Sequence, residues 1–167
     1  MIRKKITLLL LLLLSISVFG QYQGINREKY QIRISKTDQK PDIDGVLDEL
    51  VWKNADVARQ FQRVLPTDTG YAIAQTEVKL CYTATHLYVG IICYDPTAGK
   101  RPVESFRRDW NFMKNDNFIV FIDTYNDQTN GFAFGINAAG AQWDGIQANG
   151  GTVNLDWDTK WKTAVQN

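Results

Sequence analysis

An all-β fold, an antiparallel β-sandwich with one short helix near its N-terminus, is predicted by strand-period alternation and by regularly spaced turn residues. Beyond residue 75, apolar side chains recur every second position: Val78, Leu80 and Tyr82, then Leu87, Val89 and Ile91, then Phe118, Val120 and Ile122, then Phe132, Phe134 and Ile136. That period sets each group on one face of a half-buried strand. Turn formers punctuate the pattern at Asp95-Pro96, Asn126-Asp127, Asn130-Gly131, Ala139-Gly140 and Asn149-Gly150-Gly151, the spacing expected of a sandwich.

The start of the chain reads differently. Arg3, Lys4 and Lys5 precede an apolar run from Ile6 to Phe19 that ends in Gly20. The run is shorter than the roughly 20 residues of a spanning helix and ends in small residues, so residues 1–20 are expected to be a secretory leader, with the remainder exported to the periplasm or the outer-membrane surface. Residues 21–37 form a polar lead-in, and residues 38–167 form one sandwich domain, a length that supports a single core.

Removing the leader's three basic residues from the 19 Lys and Arg leaves 16 against 18 Asp and Glu. The exported part is therefore slightly acidic and lacks the basic stripe of a nucleic-acid binder. The densest basic group, Lys100, Arg101, Arg107 and Arg108, falls in a loop and reads as a solvated charged segment, so no nucleic-acid partner is expected.

Asp48 is placed to cap a short helix running to about Ala55, with Leu47, Val51 and Ala55 at helical spacing. Thr76–Thr83 and Leu87–Tyr94 read as a hairpin turning at Ala84 and Thr85. If Thr83 faces His86, then Cys81 faces Tyr88 and Cys93 faces Thr76. The thiols then sit about 16 Å apart, beyond the roughly 7 Å reach of a disulfide, which predicts two free, mostly buried cysteines. The lone histidine, His86, is a turn residue in this reading.

Four of the five tryptophans, Trp110, Trp143, Trp157 and Trp161, stand among glycines, amides and carboxylates. An indole face suits the C–H face of a pyranose, and neighbouring amides and carboxylates suit its hydroxyls. The candidate carbohydrate site comprises Trp143 and Trp157 as stacking rings, Trp110 as a third, and Asp144, Asn137, Gln142 and Asn149 as hydroxyl partners. Trp52 and Trp161 are assigned to the core. Asp42 and Asp44, on an Asp-Gly turn, carry hard oxygen ligands that suit calcium, against the simpler reading of a turn with a helix cap. Asp123, Asn126, Asp127 and Asn130 make a second oxygen-rich loop, read as a hairpin turn. No carboxylate spacing singles out a glycosidase pair, and no cofactor is required.

The stretch from Pro41 to Trp52, with Asp44-Gly45, Leu47, Asp48-Glu49 and Trp52, resembles the opening of a family 9 carbohydrate-binding-like domain. Glu77 to Lys79, His86 to Gly90 and Asp116 to Asp123 extend the likeness, and it covers roughly residues 38–165. Asp123 to Gly140 and Asp156-Trp157-Asp158-Thr159-Lys160-Trp161 are most similar to the version at the N-terminus of Gram-negative envelope proteins, ahead of a barrel-like domain of unknown function. The resemblance implies a carbohydrate-binding-module-like sandwich, non-catalytic binding of an oligo- or polysaccharide, an association with glycoside hydrolases, structural calcium in some relatives, and the chain's own C-terminal barrel-like domain as partner. The alternative it leaves open is a structural or docking domain that binds no sugar. Relatives continue past the expected Trp161–Val165 strand, so the sandwich is expected to be incomplete at its C-terminus.

Overall fold

A computed structural model describes residues 30–66, 70–97 and 99–167; the expected leader and the start of the lead-in lie outside the described residues. The chain divides into two compact units, Met1–Gln31 and Ile32–Asn167, and the second carries the fold. The fold is all-β, as its periodicity predicts, with two four-stranded sheets among the described residues.

The first sheet is built on the hairpin of β3 (Thr76–Tyr82) and β4 (Leu87–Cys93). Its register pairs Cys81 with Tyr88 and Thr76 with Cys93, the alignment expected from the turn. The turn itself is closed by the Thr83 hydroxyl, which accepts the amides of Thr85 and His86, while the Thr83 amide donates to the His86 carbonyl at 2.9 Å. Because β4 occupies one whole edge of β3, the other edge is shared by two short strands. β1 (Ser35–Lys36) runs parallel beside Cys81 and Tyr82, and β2 (Val57–Ala58) runs antiparallel beside Val78 and Lys79. The sheet thus takes in residues that the sequence assigns to the lead-in.

One helix, α1 (Leu50–Asn54), covers this sheet. It starts later than the Asp48 cap predicts. Glu49 is the N-cap, and its carbonyl receives the amides of Trp52 and Lys53, but its side chain turns back to accept the Asp42 amide at 2.7 Å. α1 exists to deliver Trp52, which is 2% exposed. Gly90 makes room for it: a Cβ there would come within 3.0 Å of Leu47 and 3.2 Å of the Trp52 ring. The Lys79 ammonium reaches over to the Trp52 carbonyl at 2.8 Å, leaving its aliphatic stem along the sheet.

The second sheet is an antiparallel meander of β5 (Asn117–Ile122), β6 (Gly131–Asn137), β7 (Gln142–Gln147) and β8 (Val153–Asn154). Its registers place Phe118, Val120, Ile122, Phe132, Phe134 and Ile136 on one face, as the alternation predicts. The opposite face carries a compact core. Trp110, 3% exposed, and Trp143, 8% exposed, pack with ring centroids 6.2 Å apart against Ala133 and Ala141, with Ile119, Val153 and Leu155 around them. Gly135 is required here, since a Cβ would fall 2.9 Å from Ile119 and 3.3 Å from Trp143. Residues 155–167 follow β8 without further strand, so the strand expected at Trp161–Val165 does not form.

The cysteines are free. Cys81 is fully buried, but Cys93, at the open end of β4, is exposed, which corrects the expectation that both are covered. Desolvation raises both thiol pKa values, the Glu49 charge adding to it at Cys81 and a Thr76 hydrogen bond opposing it at Cys93. A water-soluble thiol reagent is therefore expected to label Cys93 in the folded protein and Cys81 only after unfolding. Mass spectrometry after limited alkylation checks this, and equal labelling of both thiols would contradict the fold of the first sheet.

Candidate functional site

On β7, successive side chains point to opposite faces, so Trp143 enters the Trp110 core while Gln142 and Asp144 turn to the other side. There the C-terminal segment crosses the sheet. Trp157 lies over Phe132 and Phe134, with centroids 5.0 and 6.2 Å away, and Trp161 meets Phe134 edge-on at 5.5 Å. These separations lie within the range of favourable aromatic pairs.

Asp144 is the anchor of this face. Its carboxylate is fully buried, and one oxygen is bonded by the Arg108 guanidinium while the other accepts the Thr159 amide at 3.0 Å. Arg108 also bonds Asp158, and its Nη1 donates to the Gln142 side-chain oxygen at 3.2 Å. The Gln142 amide nitrogen in turn donates to the Trp161 carbonyl at 3.0 Å. Two β7 side chains thus hold both the Arg108 loop and the C-terminal segment.

Between those two segments lies an open cleft of about 350 Å³, lined by Arg108, Gln142, Asp158, Thr159, Lys160 and Trp161. Arg108 stands at its margin with its side chain 36% exposed, and Asp158 is 70% exposed. Asp109 lies beside the cluster at φ 57°, a left-handed conformation uncommon for a non-glycine residue. Partial desolvation raises its carboxyl pKa; the Asp144 amide and Arg108 draw it down, and the charges of Asp144 and Asp158 push it up. The cleft offers one aromatic ring, a guanidinium held by carboxylates, and an exposed carboxylate. That is a donor and acceptor set suited to vicinal hydroxyls, with Asp158 able to accept two and Arg108 to donate.

The expected site residues separate into those this cleft gathers and those it does not. Gln142 lines it and Asp144 forms its buried base. Trp143 and Trp110 are core rings with no open face, and the Trp110 Nε1 donates to the Ala141 carbonyl at 2.9 Å. Asn137 is 1% exposed and fully engaged: its Nδ2 donates to the Ser105 carbonyl and to Asn115 Oδ1, and its Oδ1 accepts the amides of Ala139 and Ala141. It has no donor or acceptor left for a ligand. Asn149 sits in an exposed turn at the other end of β7, at φ 55°, its amide donating to Asn130 Oδ1. Trp157 is half-buried on the sheet and is not among the cleft residues. Trp161, assigned from sequence to the core, lines the cleft instead. Arg108, Asp158, Thr159 and Lys160 complete it; the signal for them lay in the Arg108-Asp109-Trp110 and Asp156 to Trp161 runs, where charges alternate with indoles.

The two oxygen-rich loops are turns built on carboxylate–amide bonds. Asp44 accepts the Val46 amide at 2.9 Å beside Gly45 at φ 90°, and Asp42 contributes its amide to Glu49. Among the described residues no group of three or more His, Cys, Asp or Glu side chains is placed to hold a metal ion. In the other loop, Asp123 accepts amides from Tyr125, Asp127 and Gln128, and Asp127 accepts those of Thr129 and Asn130 as well as the Asn130 side chain at 2.6 Å.

No family model, curated protein or solved structure matches the chain.

Those bonds, the Asn130 side chain foremost, hold the Asp127 carboxyl at a pKa of about 2. A folded-state pKa below the unfolded value of about 3.9 stabilises the fold above that value, and the contribution is lost as pH falls through the folded pKa. Replacing Asp127 with Asn is expected to flatten the fall in stability between about pH 4 and pH 2. Urea titrations of both proteins across that range test it, and identical pH profiles would count against the loop geometry.

Proposed function

We propose that this chain is a non-catalytic carbohydrate-binding module of an exported envelope protein, and that the Arg108–Trp161 cleft receives the sugar. One observation carries the reading: a solvent-open cleft in which an indole stands beside a guanidinium and an exposed carboxylate, with the guanidinium held by a buried one. A pyranose ring set against Trp161 would lay its C–H face on the indole and turn its hydroxyls to Arg108, Gln142 and Asp158. Asp144 holds the Arg108 head in position, so ordering that long side chain costs little at the moment of binding.

The resemblance to family 9 carbohydrate-binding-like domains supports the same reading and the export that the leader implies. Under this proposal the ligand is an oligo- or polysaccharide, and the association with glycan breakdown belongs to hydrolases that accompany such modules. Calcium at the Asp42–Asp44 turn, which the resemblance also implies, would need ligands beyond these two side chains.

A second reading, docking onto the protein's own barrel-like domain, is favoured by a different observation. Large apolar side chains stand in solvent outside the cleft, with Val64 and Leu65 each 73% exposed, Ile73 81%, Phe106 82% and Met113 78%. Where exposed apolar side chains of this size lie together, a partner commonly covers them.

A glycan-array screen of the protein, followed by calorimetry on any hit, separates the two. The first reading expects binding that falls at least tenfold, about 1.4 kcal/mol, in Trp161→Ala and in Asp158→Ala. It also expects no change in Asn149→Ala. A folded protein silent across the array would leave the docking reading standing.

A further inference from the structure

Among the described residues, β5 ends the second sheet, with β6 along one edge only. The Asp116 carbonyl accepts the Ala138 amide at 2.8 Å, and this sets the alternation along the strand. Phe118, Val120 and Ile122 turn their main-chain groups toward Ile136, Phe134 and Phe132 of β6, and Asn117, Ile119 and Phe121 turn theirs to the open side. The strand reads Asn-Phe-Ile-Val-Phe-Ile, with no charge, proline or glycine, and its register runs unbroken by a bulge. Edge strands of soluble proteins are ordinarily protected by one of those devices. β5 carries none, and Phe121 on its open side is 55% exposed.

We propose that β5 pairs antiparallel with β5 of a second copy of this chain about a two-fold axis at Val120, joining two four-stranded sheets into one continuous sheet. The strand's own sequence selects the second copy as occupant. Residues opposite one another in a ladder share a face, so only centres that fall on a residue keep each apolar face continuous across the axis. Centring on Val120 sets Phe118 opposite Ile122 and Ile119 opposite Phe121, so every pair within that span is apolar. Centring on Ile119 would oppose Asn117 to Phe121, and centring on Phe121 would oppose Asp123 to Ile119. In the Val120 register Asp123 falls opposite Asn117 and Asp116 opposite Thr124, so no carboxylate faces another. The main-chain groups of Ile119 and Phe121, which point outward, become the hydrogen-bonded pairs. Val120 then meets its own copy at the closer, non-hydrogen-bonded position, where Cα atoms approach to about 4.5 Å. An isologous contact of this kind closes on itself at two chains.

Site-directed crosslinking of the full chain tests the register. In a background where the exposed Cys93 is replaced by Ser, Val120→Cys is expected to give, on mild oxidation, a covalent species of twice 19.1 kDa on a non-reducing gel. Ile122→Cys, whose opposite residue is Phe118, is expected to remain monomeric under the same conditions. Sedimentation equilibrium of the unsubstituted chain is expected to report a dimer, and Phe121→Lys, a change at an exposed side chain, to return it to monomer with unchanged circular dichroism. A monomer at every concentration of the unsubstituted chain would overturn the proposal, whether or not the cysteine variants fold. Equal crosslinking through positions 120 and 122 would overturn it too.

Discussion

A carboxylate with no solvent access organises this protein's candidate site. Desolvating an ionised Asp costs several kcal/mol unless its charge and its lone pairs are met. Asp144 meets that requirement with the Arg108 guanidinium on one oxygen and the Thr159 amide on the other. Each partner comes from a segment that has no regular secondary structure, so one buried side chain on β7 ties the loop before β5 and the chain after β8 to the same sheet face, alongside the Gln142 side-chain bonds to both and the Asp109 amide on the Gln142 carbonyl. The cleft is the space left between them. Without the carboxylate, Arg108 and the Thr159 amide would lose the one group that joins them.

The same economy recurs on a smaller scale. Asn137 ends β6 with its side-chain amide saturated, joining the Ser105 carbonyl and Asn115 to the turn at Ala139 to Ala141. Asn115 Oδ1 also accepts the Glu104 amide at 2.9 Å, and Arg101 pairs with Asp95 at 2.8 Å. Residues 101–116 are thus placed by side-chain bonds and by single main-chain bonds, such as the Asp109 amide to the Gln142 carbonyl at 3.1 Å and the Asp116 amide to the Pro102 carbonyl at 2.7 Å, not by a strand. Such a segment can present Arg108 and Asp109 at an angle that a ladder would not allow, and the left-handed backbone at Asp109 is part of that path. Two of the four basic residues that cluster in this loop are spent on carboxylates, which accords with the absence of a basic stripe in the sequence.

Much of the sheet structure was legible in the sequence because a period of two leaves little freedom. Once the Ala84-Thr85 turn is placed, the register of β3 and β4 follows, and with it the separation of Cys81 from Cys93. What alternation cannot reveal is which side of a strand will be covered and by what. Trp143 and Asp144 are neighbours on β7, so one must face each way, and both faces are covered, one by Trp110 and the other by the C-terminal segment. A tryptophan among polar residues therefore reads as exposed until the covering elements are known. The same blindness put Trp161 in a strand that does not form and credited Asn137 with free hydrogen-bonding capacity. Helix capping failed for a local reason, since the Glu49 carboxylate bonds the distant Asp42 amide and the cap moves one residue on.

Amide hydrogen exchange in Asp144→Ala is the most direct test of the account. If the buried carboxylate holds the C-terminal segment, the Thr159 amide should lose its protection and its neighbours Asp158 to Trp161 should follow, while the β5–β6 ladder keeps its protection. Unchanged exchange at Thr159 would contradict the account, because the segment would then be held by something other than Asp144.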